Sequence, residues 1–247
     1  MYNGFAYIYD ELIDDVDYKS WYLYIKDIFN KFHKKPKSIL EMACGTGNLS
    51  YYFAKNGYDL TCFDISDDML AVAYNKLSQF NNVMLLRQNM ANFNIGKKFD
   101  GVISILDSIN YIVDDVELLN TFKNVRSHLK EDGIFIFDIN SRYKLREIIG
   151  NNTFIEDKGN IFYTWQNYYD EKKNIVEFYL TFFVEEEKDK YIRFDEEHLE
   201  RAYSIEEIVE GLEKAGFGEI YYFDCFTFKK PHDKSERINF VALPKLL

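Results

Sequence analysis

The chain has 247 residues, and at roughly 150 residues per domain it can form one large domain or one domain with a sizeable insertion. Apolar residues make up 47% of the sequence and aromatic residues 18%, which excludes a disordered chain. With a formal net charge of −11, we expect no nucleic-acid partner, because phosphate binding requires cations clustered on one face.

Cysteine content and hydropathy predict a cytoplasmic protein that is not embedded in a membrane. The three cysteines cannot form a closed set of disulfide bonds, which is typical of a reducing compartment. The N-terminal segment has no basic start and no apolar core, so we expect no signal peptide. No apolar run approaches the ~18 residues of a membrane helix. The histidines are scattered and no C-x-x-C pair occurs, so we expect no metal site.

Strand and helix signals alternate through the first half of the chain. Apolar spacing predicts a helix over residues 18–33, which ends before Pro36. Strands are then predicted at residues 38–43, 58–64, 83–87, 99–105 and 134–138. Helices are predicted at about 48–57, at 67–77 with Ser66 as its cap, and at 114–129, and Asp132-Gly133 is predicted as a turn. This alternation predicts an α/β fold with a doubly wound parallel sheet.

The pattern changes after residue 138. Residues 152–202 contain three long runs rich in aromatic and β-branched residues, separated by polar turns, which predicts an antiparallel meander inserted into the parallel frame. Ser204 and Glu207 form a capping box at the start of another helix. That helix ends at residues 215–217, and two final strands follow at about 219–229 and 237–244.

A glycine turn between the first strand and its helix is the first candidate binding site. In Ile-Leu-Glu-Met-Ala-Cys-Gly-Thr-Gly-Asn, Gly45 and Gly47 let the backbone approach a ligand closely. The helix start offers free N–H groups and a partial positive charge. The dinucleotide fingerprint lacks its third glycine, and the lysine of a P-loop is missing. An ordinary strand-to-helix turn is the alternative.

The position of Asp64 indicates which class of ligand the turn could bind. This residue ends the second strand, 17 residues after Gly47, where a carboxylate can accept hydrogen bonds from both hydroxyls of a ribose. Each such bond to a charged acceptor contributes about 1.5–3 kcal/mol. The pair therefore suits an adenosine-type ligand. The alternative is an acidic residue that only stabilises a helix start.

Three motifs in order resemble those of class I S-adenosylmethionine-dependent methyltransferases: E-x-A-C-G-T-G-N at residues 41–48, F-D-I-S at 63–66 and R-Q-N-M at 87–90. The resemblance extends over the whole chain to the closing hairpin with Phe240-Val241-Ala242. It implies a Rossmann-like sheet of seven strands with an antiparallel last strand, and S-adenosyl-L-methionine as cofactor. Ala43 and Asn89 depart from the family, which usually has Gly and Asp there.

The resemblance also implies the cofactor-binding residues. The methionine end of the cofactor would be held by Glu41, Ala43, Gly45, Thr46 and Gly47, and the ribose by Asp64. The adenine would lie among Ile65, Met69, Gln88, Asn89 and Met90. The segment Leu106, Asp107 and Ser108 would form the floor of the cofactor site and face the substrate, and the N-terminal segment would close over it with Tyr18 and Trp21.

A second resemblance is to small bacterial N-methyltransferases, some of which act on amino groups of nucleotide-linked sugars or other small metabolites. It depends on Tyr9-Asp10, on residues 15–18 with Trp21, on residues 106–111 and on residues 197–204. It implies a cofactor-binding domain of residues 1–140 and 203–247, with a helical lid at about 1–35, and an inserted substrate cap at 141–202. Candidate substrate residues are Asp107, Tyr111, Trp165, Tyr179 and Arg201.

The expected enzyme is a transferase in which positioning does most of the work, because a sulfonium methyl group is already activated. An amine acceptor must also lose its proton, to solvent or to a base. The candidates for that base are Tyr9, Tyr111 and His198. Packing is the alternative role of the two tyrosines, a surface position that of His198, and ion pairing with nearby glutamates that of Arg201.

We therefore expect a methyltransferase that acts on a small molecule, most simply an amine, as a monomer or homodimer. Two alternatives stay open: a regulatory protein that binds the cofactor without turnover, and an enzyme that methylates a macromolecule. A nicotinamide oxidoreductase is disfavoured by the missing third glycine and by the antiparallel last strand.

Overall fold

The computed structural model describes residues 4–188 and 190–245. Its helices are α1 (Phe5–Leu12), α2 (Tyr18–Lys31), α3 (Asn48–Lys55), α4 (Asp67–Leu77), α5 (Asp115–His128) and α6 (Ile205–Lys214). Its strands are β1 (Ser38–Met42), β2 (Asp59–Asp64), β3 (Val83–Arg87), β4 (Phe99–Ser104), β5 (Leu129–Asn140), β6 (Thr153–Asp157), β7 (Ile161–Asp170), β8 (Ile175–Glu187), β9 (Lys190–Arg201), β10 (Phe217–Asp224) and β11 (Arg237–Pro244).

Seven strands form the frame sheet in the order β10-β11-β5-β4-β1-β2-β3. Strands β1 to β5 pair in parallel within it, and β11 runs antiparallel to both of its neighbours. The predicted fold class is thereby confirmed. Because the parallel strands share one direction, the carboxyl ends of β1, β2, β4 and β5 meet at the same edge, where ligands bind in such sheets.

Local capping signals set the helix starts. The Ser66 hydroxyl accepts a hydrogen bond from the backbone N–H of Met69 at the start of α4. Ser204 and Glu207 form the predicted capping box of α6. These side chains satisfy N–H groups that the first turn of a helix leaves without partners. Both predicted caps are confirmed, and the helices begin where the sequence indicates.

The prediction of a turn at Asp132-Gly133 is wrong. Strand β5 begins at Leu129 and runs through both residues. Phe99 pairs with Leu129 and Gly101 with Ile134, so β5 bulges between these two positions. A Cβ atom at Gly133 would lie 2.6 Å from Leu129 Cδ2. Glycine at position 133 therefore allows close packing within the bulge. Because β5 pairs with β4 here, Asp132-Gly133 lies in a strand and not in a turn.

The insertion forms a separate antiparallel sheet in the order β6-β7-β8-β9, with β6 in addition to the three predicted runs. Its inner face carries Phe178 and Phe182, both buried. Phe5 of α1 packs on that face, with its ring centroid 5.7 Å from that of Phe182. A π-helix at Lys144–Ile149 follows β5 and leads towards the insertion. Helix α1 thus lies against the inner face of the cap sheet.

None of the helices in residues 4–188 and 190–245 is both long and apolar enough to cross a membrane.

Asp100 ties three strands together at the edge opposite the glycine turn. Its carboxylate accepts hydrogen bonds from the backbone N–H groups of Lys37 and Ser38, at 2.9 and 2.8 Å, and from the ammonium of Lys130, at 2.6 Å. Desolvation alone would raise the pKa of Asp100, but these hydrogen bonds outweigh it and lower the pKa well below its ordinary value. The carboxylate therefore stabilises the fold in its charged form.

We predict that Asp100→Ala lowers the Tm at pH 7 by roughly 2–4 °C, because the backbone N–H groups of Lys37 and Ser38 lose a charged acceptor. A group with a lowered folded pKa stabilises fully above its unfolded pKa of about 3.9, and this contribution is lost as the pH falls towards the folded value. The difference from wild type, measured by thermal unfolding, should therefore shrink below pH 4. Asp59→Ala, at an exposed surface ion pair with Lys97, is the control and should change little.

Candidate functional site

The bend after β1 takes a left-handed backbone conformation at three positions. The φ angles are 50° at Ala43, 53° at Gly45 and 78° at Gly47. A Cβ atom at Gly47 would lie 2.9 Å from Leu77 Cδ1, so glycine allows α3 to pack closely on α4. A Cβ atom at Gly45 would meet no heavy atom within 4 Å. The space above Gly45 is open to a ligand, which fits a cofactor cradle.

Asp64 lies directly against this bend. One of its carboxylate oxygens accepts a hydrogen bond from Gly45 N–H at 2.9 Å, and the other accepts one from Ser66 N–H at 2.9 Å. The residue is only 8% exposed, and burial raises its pKa despite these bonds. A carboxylate has about four acceptor positions, so each oxygen can still accept a bond from a ligand hydroxyl. The predicted pairing of bend and carboxylate is therefore present.

Glu41, near the end of β1, contacts the helix that follows the bend. It is buried, and its carboxylate accepts a 2.6 Å hydrogen bond from the Ser50 hydroxyl on α3. Burial raises the pKa of Glu41 to about 7. The residue therefore joins the end of β1 to the first turns of α3, and its charged and neutral forms are both populated near neutral pH. A cationic ligand group near Glu41 would favour its charged form.

A cavity of about 50 Å³ lies between the N-terminal segment and the bend. Predicted residues that line it are Tyr9, Tyr18, Glu41, Ala43, Gly45, Thr46, Leu106 and Ser108. Four residues without a predicted role also line it: Cys44, Asn48, Leu49 and Ile105. Ligand pockets usually measure about 300–1,000 Å³. This cavity is thus too small for a whole cofactor, and Tyr9 of α1 forms part of its wall.

Asp10 fixes the position of α1 against the bend. Its carboxylate accepts hydrogen bonds from Thr46 Oγ1 at 2.6 Å, Asn48 Nδ2 at 2.8 Å and Lys76 Nζ at 2.9 Å. Desolvation opposes the charged form, but these donors outweigh it and lower the pKa of Asp10. No local sequence pattern predicts these bonds of Asp10, because Thr46 lies 36 positions and Lys76 66 positions further along the chain.

The residues predicted to contact the adenine follow the ends of β2 and β3. The backbone N–H of Gln88 donates to the Asp64 carbonyl at 3.1 Å, which brings the end of β3 to the site. Ile65 is 60% exposed. The side-chain oxygen of Asn89 accepts a 2.8 Å hydrogen bond from Ala91 N–H, so it retains one lone pair. Met69 lies in the first turn of α4 and Met90 packs against the frame core.

Trp21 was predicted to lie near the cofactor, and the structure does not place it in the cavity. Its side chain is 3% exposed, and its ring centroid lies 4.7 Å from that of Phe226. The apolar face of α2 buries Trp21 with Ile25 and Ile28 against the frame. Tyr18, at the start of the same helix, is the residue that reaches the cavity.

Backbone strain marks the segment after β4. Leu106 and Asp107 have φ angles of 59° and 56°, a conformation that costs residues other than glycine about 1–3 kcal/mol each. Their backbone N–H groups donate to the buried carboxylate of Asp138, at 2.8 and 3.1 Å. Arg237 bonds both to Asp138 and to Asp107, the latter at 2.6 Å. This network holds the strained segment beside the cavity.

The three candidate bases gather where α1, the segment after β4 and the cap meet. The ring centroid of His198 lies 5.9 Å from that of Tyr111 and 5.6 Å from that of Phe5. His198 Nε2 is buried and has no hydrogen-bond partner among the described residues. Desolvation lowers the pKa of His198, which keeps the imidazole neutral. A neutral nitrogen without a partner can accept a proton.

The two tyrosines have the opposite tendency. Burial, together with Tyr18 and Asp107, raises the pKa of Tyr9 far above its ordinary value. Although Tyr111 is 45% exposed as a residue, desolvation of its hydroxyl and the nearby Glu200 raise its pKa as well. Both hydroxyls therefore stay protonated at neutral pH and act as hydrogen-bond donors, which favours His198 as the base.

The predicted substrate residues of the cap are divided between its two faces. Trp165 shares the inner face with His198, and its indole N–H is buried without a hydrogen-bond partner in the described chain. Tyr179 lies on the outer face, where its hydroxyl bonds to Glu177 at 2.7 Å. Arg201 pairs with Asp115 and Glu207. The structure therefore does not bring Tyr179 to this cleft, because successive strand residues alternate in direction.

A larger cleft of about 480 Å³ lies at the opposite edge of the frame and contains none of the predicted site residues. It is lined by Lys35, Lys37, Ser38, Asp59, Lys97, Lys98, Asp100 and Lys130. Within the ranges 4–188 and 190–245 no group of three or more potential ligands could hold a metal ion.

Comparison with known proteins relates this site to methyl transfer. The family described as "Methyltransferase domain" matches residues 39–133. "Putative methyltransferase YqeM" of Bacillus subtilis (strain 168) is 34% identical over 243 residues, which cover 98% of this chain and 96% of the relative. The crystal structure of a S-adenosylmethionine-dependent methyltransferase from Clostridium acetobutylicum ATCC 824 is 42% identical, with a TM-score of 0.89 and 99% of each chain covered.

A more distant relative has a named substrate. The dTDP-3-amino-3,4,6-trideoxy-alpha-D-glucopyranose N,N-dimethyltransferase of Streptomyces venezuelae is 29% identical over 114 residues, which cover 46% of this chain and 47% of the relative.

We predict that Asp64→Ala weakens binding of S-adenosylhomocysteine, measured by calorimetry, by ~10–100-fold, as expected for the loss of about 1.4–2.7 kcal/mol. Asp67→Ala is the control, because Asp67 is an exposed acidic residue on the adjacent helix turn. Unchanged affinity in a folded Asp64→Ala protein would contradict the placement of the ribose.

We predict that Asp10→Ala speeds both association and dissociation of S-adenosylhomocysteine by about 3–30-fold in stopped-flow fluorescence. The variant removes three hydrogen bonds that hold α1 against the bend, each contributing about 0.5–3 kcal/mol. Tyr7→Ala, at an exposed residue of the same helix, is the control. If both rates in Asp10→Ala equal those of wild type, α1 does not gate the site.

Proposed function

Because the chain belongs to the S-adenosylmethionine-dependent methyltransferase family, we propose that it transfers the methyl group of this cofactor to the amino group of a small molecule. The proposal of an amine rests on one observation above all: a neutral, buried imidazole nitrogen of His198 that has no partner among the described residues. The distant relative that dimethylates an amino sugar gives further support.

The cofactor would be held by the bend and by Asp64. Both carboxylate oxygens of Asp64 already bond to backbone N–H groups, which fixes their orientation towards two ribose hydroxyls. The open space at Gly45 and the cavity beside Glu41, Thr46 and Tyr18 would hold the methionine end. When bound, the cofactor supplies a methyl group that its sulfonium has already activated.

On the acceptor side, the chain contributes orientation and proton removal. His198 Nε2 accepts the proton of the incoming ammonium group, which leaves a lone pair on the amine for the methyl group. Tyr9 and Tyr111, which stay protonated, orient the acceptor by donating hydrogen bonds. Closure of α1 on the bend excludes water and fixes the distance between the two reactants, a contribution of roughly 7–11 kcal/mol in well-oriented systems.

The cap would serve as the substrate subdomain of this enzyme, with residues 141–202 over the cofactor-binding parts 1–140 and 203–247. His198 and Trp165 on its inner face support this division. The three cysteines, which are free thiols in the structure, support a cytoplasmic location.

The test measures release of S-adenosylhomocysteine from S-adenosylmethionine with a panel of small amines and of the corresponding alcohols. We expect turnover with amines and none with alcohols. Binding of the cofactor without turnover of any amine would contradict the proposed function and would favour a regulatory role.

We predict that His198→Gln lowers kcat with an active amine by about 10²-fold, the lower part of the usual range for a general base. Because the pKa of His198 is lowered from 6.5, wild-type activity should rise with pH through a value below 6.5, and this limb should disappear in the variant. His232→Gln, at an exposed histidine, is the control. An unchanged acid limb in His198→Gln would assign the proton transfer to another group or to solvent.

A further inference from the structure

Lys144 is a partly buried cation that the proposed reaction does not use. It begins the π-helix that follows β5, at the same edge of the frame as the glycine bend. Its ammonium donates a 3.1 Å hydrogen bond to Asn140 Oδ1, and Asn140 in turn donates to Glu200 Oε2 at 3.0 Å. Interruptions of regular helix geometry of this kind occur frequently at functional sites.

The ammonium has no carboxylate partner. No carboxylate oxygen of residues 4–188 and 190–245 forms an ion pair with Lys144 within 4.0 Å. Of the nearby carboxylates, those of Asp107 and Asp138 are engaged by Arg237, and that of Glu236 belongs to an exposed residue. Burial and the charge of Asp107 raise the pKa of Glu200 well above its ordinary value, which favours its neutral form. Of the three N–H donors of an ammonium, one bonds to a side chain of the described residues.

A charge that is partly withdrawn from water costs the fold less when an opposite charge contacts it. Desolvation lowers the pKa of Lys144, as expected for a cation held without a contacting anion. A ligand with negative charge that contacts the Lys144 ammonium would explain why the fold keeps this cation beside the cavity.

A second donor without a partner comes from the cap. The indole N–H of Trp165 is buried and makes no hydrogen bond within the described residues. Trp165 packs against a cluster that contains Leu145, the neighbour of Lys144 on the π-helix. Two unused donors, and one of them cationic, are suited to an acceptor group with negative charge.

We propose that the methyl acceptor carries an oxyanion, either a carboxylate or a phosphate, which binds the Lys144 ammonium with the Trp165 indole as a second donor. The inference rests on the proposed methylation of an amine and narrows its substrate class. Glu200, which Asn140 links to Lys144, lies two residues from His198 on the same strand face, a separation of about 7 Å. The amine and the oxyanion would therefore be a few bonds apart in one small molecule.

The first test uses matched pairs of amines: glycine with glycinamide for a carboxylate, and glucosamine 6-phosphate with glucosamine for a phosphate. We expect wild-type kcat/KM to favour the anionic member of at least one pair by about 10-fold or more. In Lys144→Met the preference should disappear, mainly through a higher KM, and Lys144→Arg should partly restore it. Lys172→Met, at an exposed lysine in the turn between β7 and β8, should keep the preference.

The second test does not require turnover. Thermal unfolding of the protein saturated with S-adenosylhomocysteine is compared in acetate, inorganic phosphate and chloride at equal ionic strength. We expect one of the oxyanions to raise the Tm of wild type and of Lys172→Met by about 2–4 °C relative to chloride, and to raise that of Lys144→Met by less.

The outcomes separate this inference from the proposed function. Equal use of charged and uncharged amines, with equal stabilisation of wild type and Lys144→Met, would overturn the oxyanion site and leave amine methylation standing. Loss of stabilisation in Lys144→Met without turnover of any amine would support the oxyanion site and contradict amine methylation.

Discussion

The contact between the Asp64 carboxylate and the backbone of Gly45 is the constraint on which the rest of the site depends. It joins the ends of β1 and β2 at the edge of the frame, and the second oxygen of the same carboxylate holds the start of α4 through Ser66. The bend is fixed by these bonds although three of its residues have positive φ angles. Thr46 and Asn48, which anchor α1 through Asp10, belong to the same bend and its helix start.

Strain and buried charge are concentrated in the segment after β4, beside the cavity. The left-handed residues Leu106 and Asp107 are held by Asp138, and the Asp138 carboxylate is held by Arg237. Such an arrangement costs stability locally, and the well-packed frame around it offsets that cost. In the proposed function this rigid segment would support the reactants from one side, since alignment is the main contribution of the protein to methyl transfer.

Much of the frame follows from local signals in the sequence. Alternating apolar runs and helical spacing indicate the parallel sheet, and Ser66 and Ser204 mark two helix starts that the structure reproduces. The approach of Asp64 to the glycine bend could also be predicted, because the first two strands of a doubly wound sheet end side by side. These features depend on short-range chemistry and on a common topology.

The remaining features depend on contacts between distant parts of the chain. Arg237 reaches Asp107 across 130 positions, and Asp10 reaches Lys76 across 66, so no local pattern reveals either pair. The bulge at Gly133 and the outward direction of Tyr179 depend on strand register, which the cross-strand partners decide. That Trp21 does not line the cavity could not be predicted, because its helical face indicates burial without indicating against which surface.

A crystal structure of the protein with S-adenosylhomocysteine would test the central claim most directly. The account predicts both ribose hydroxyls within hydrogen-bonding distance of the Asp64 carboxylate, about 2.5–3.0 Å, with the sulfur directed towards the cleft between Tyr9 and His198. A nucleoside bound elsewhere, or side chains filling the space above Gly45, would contradict it.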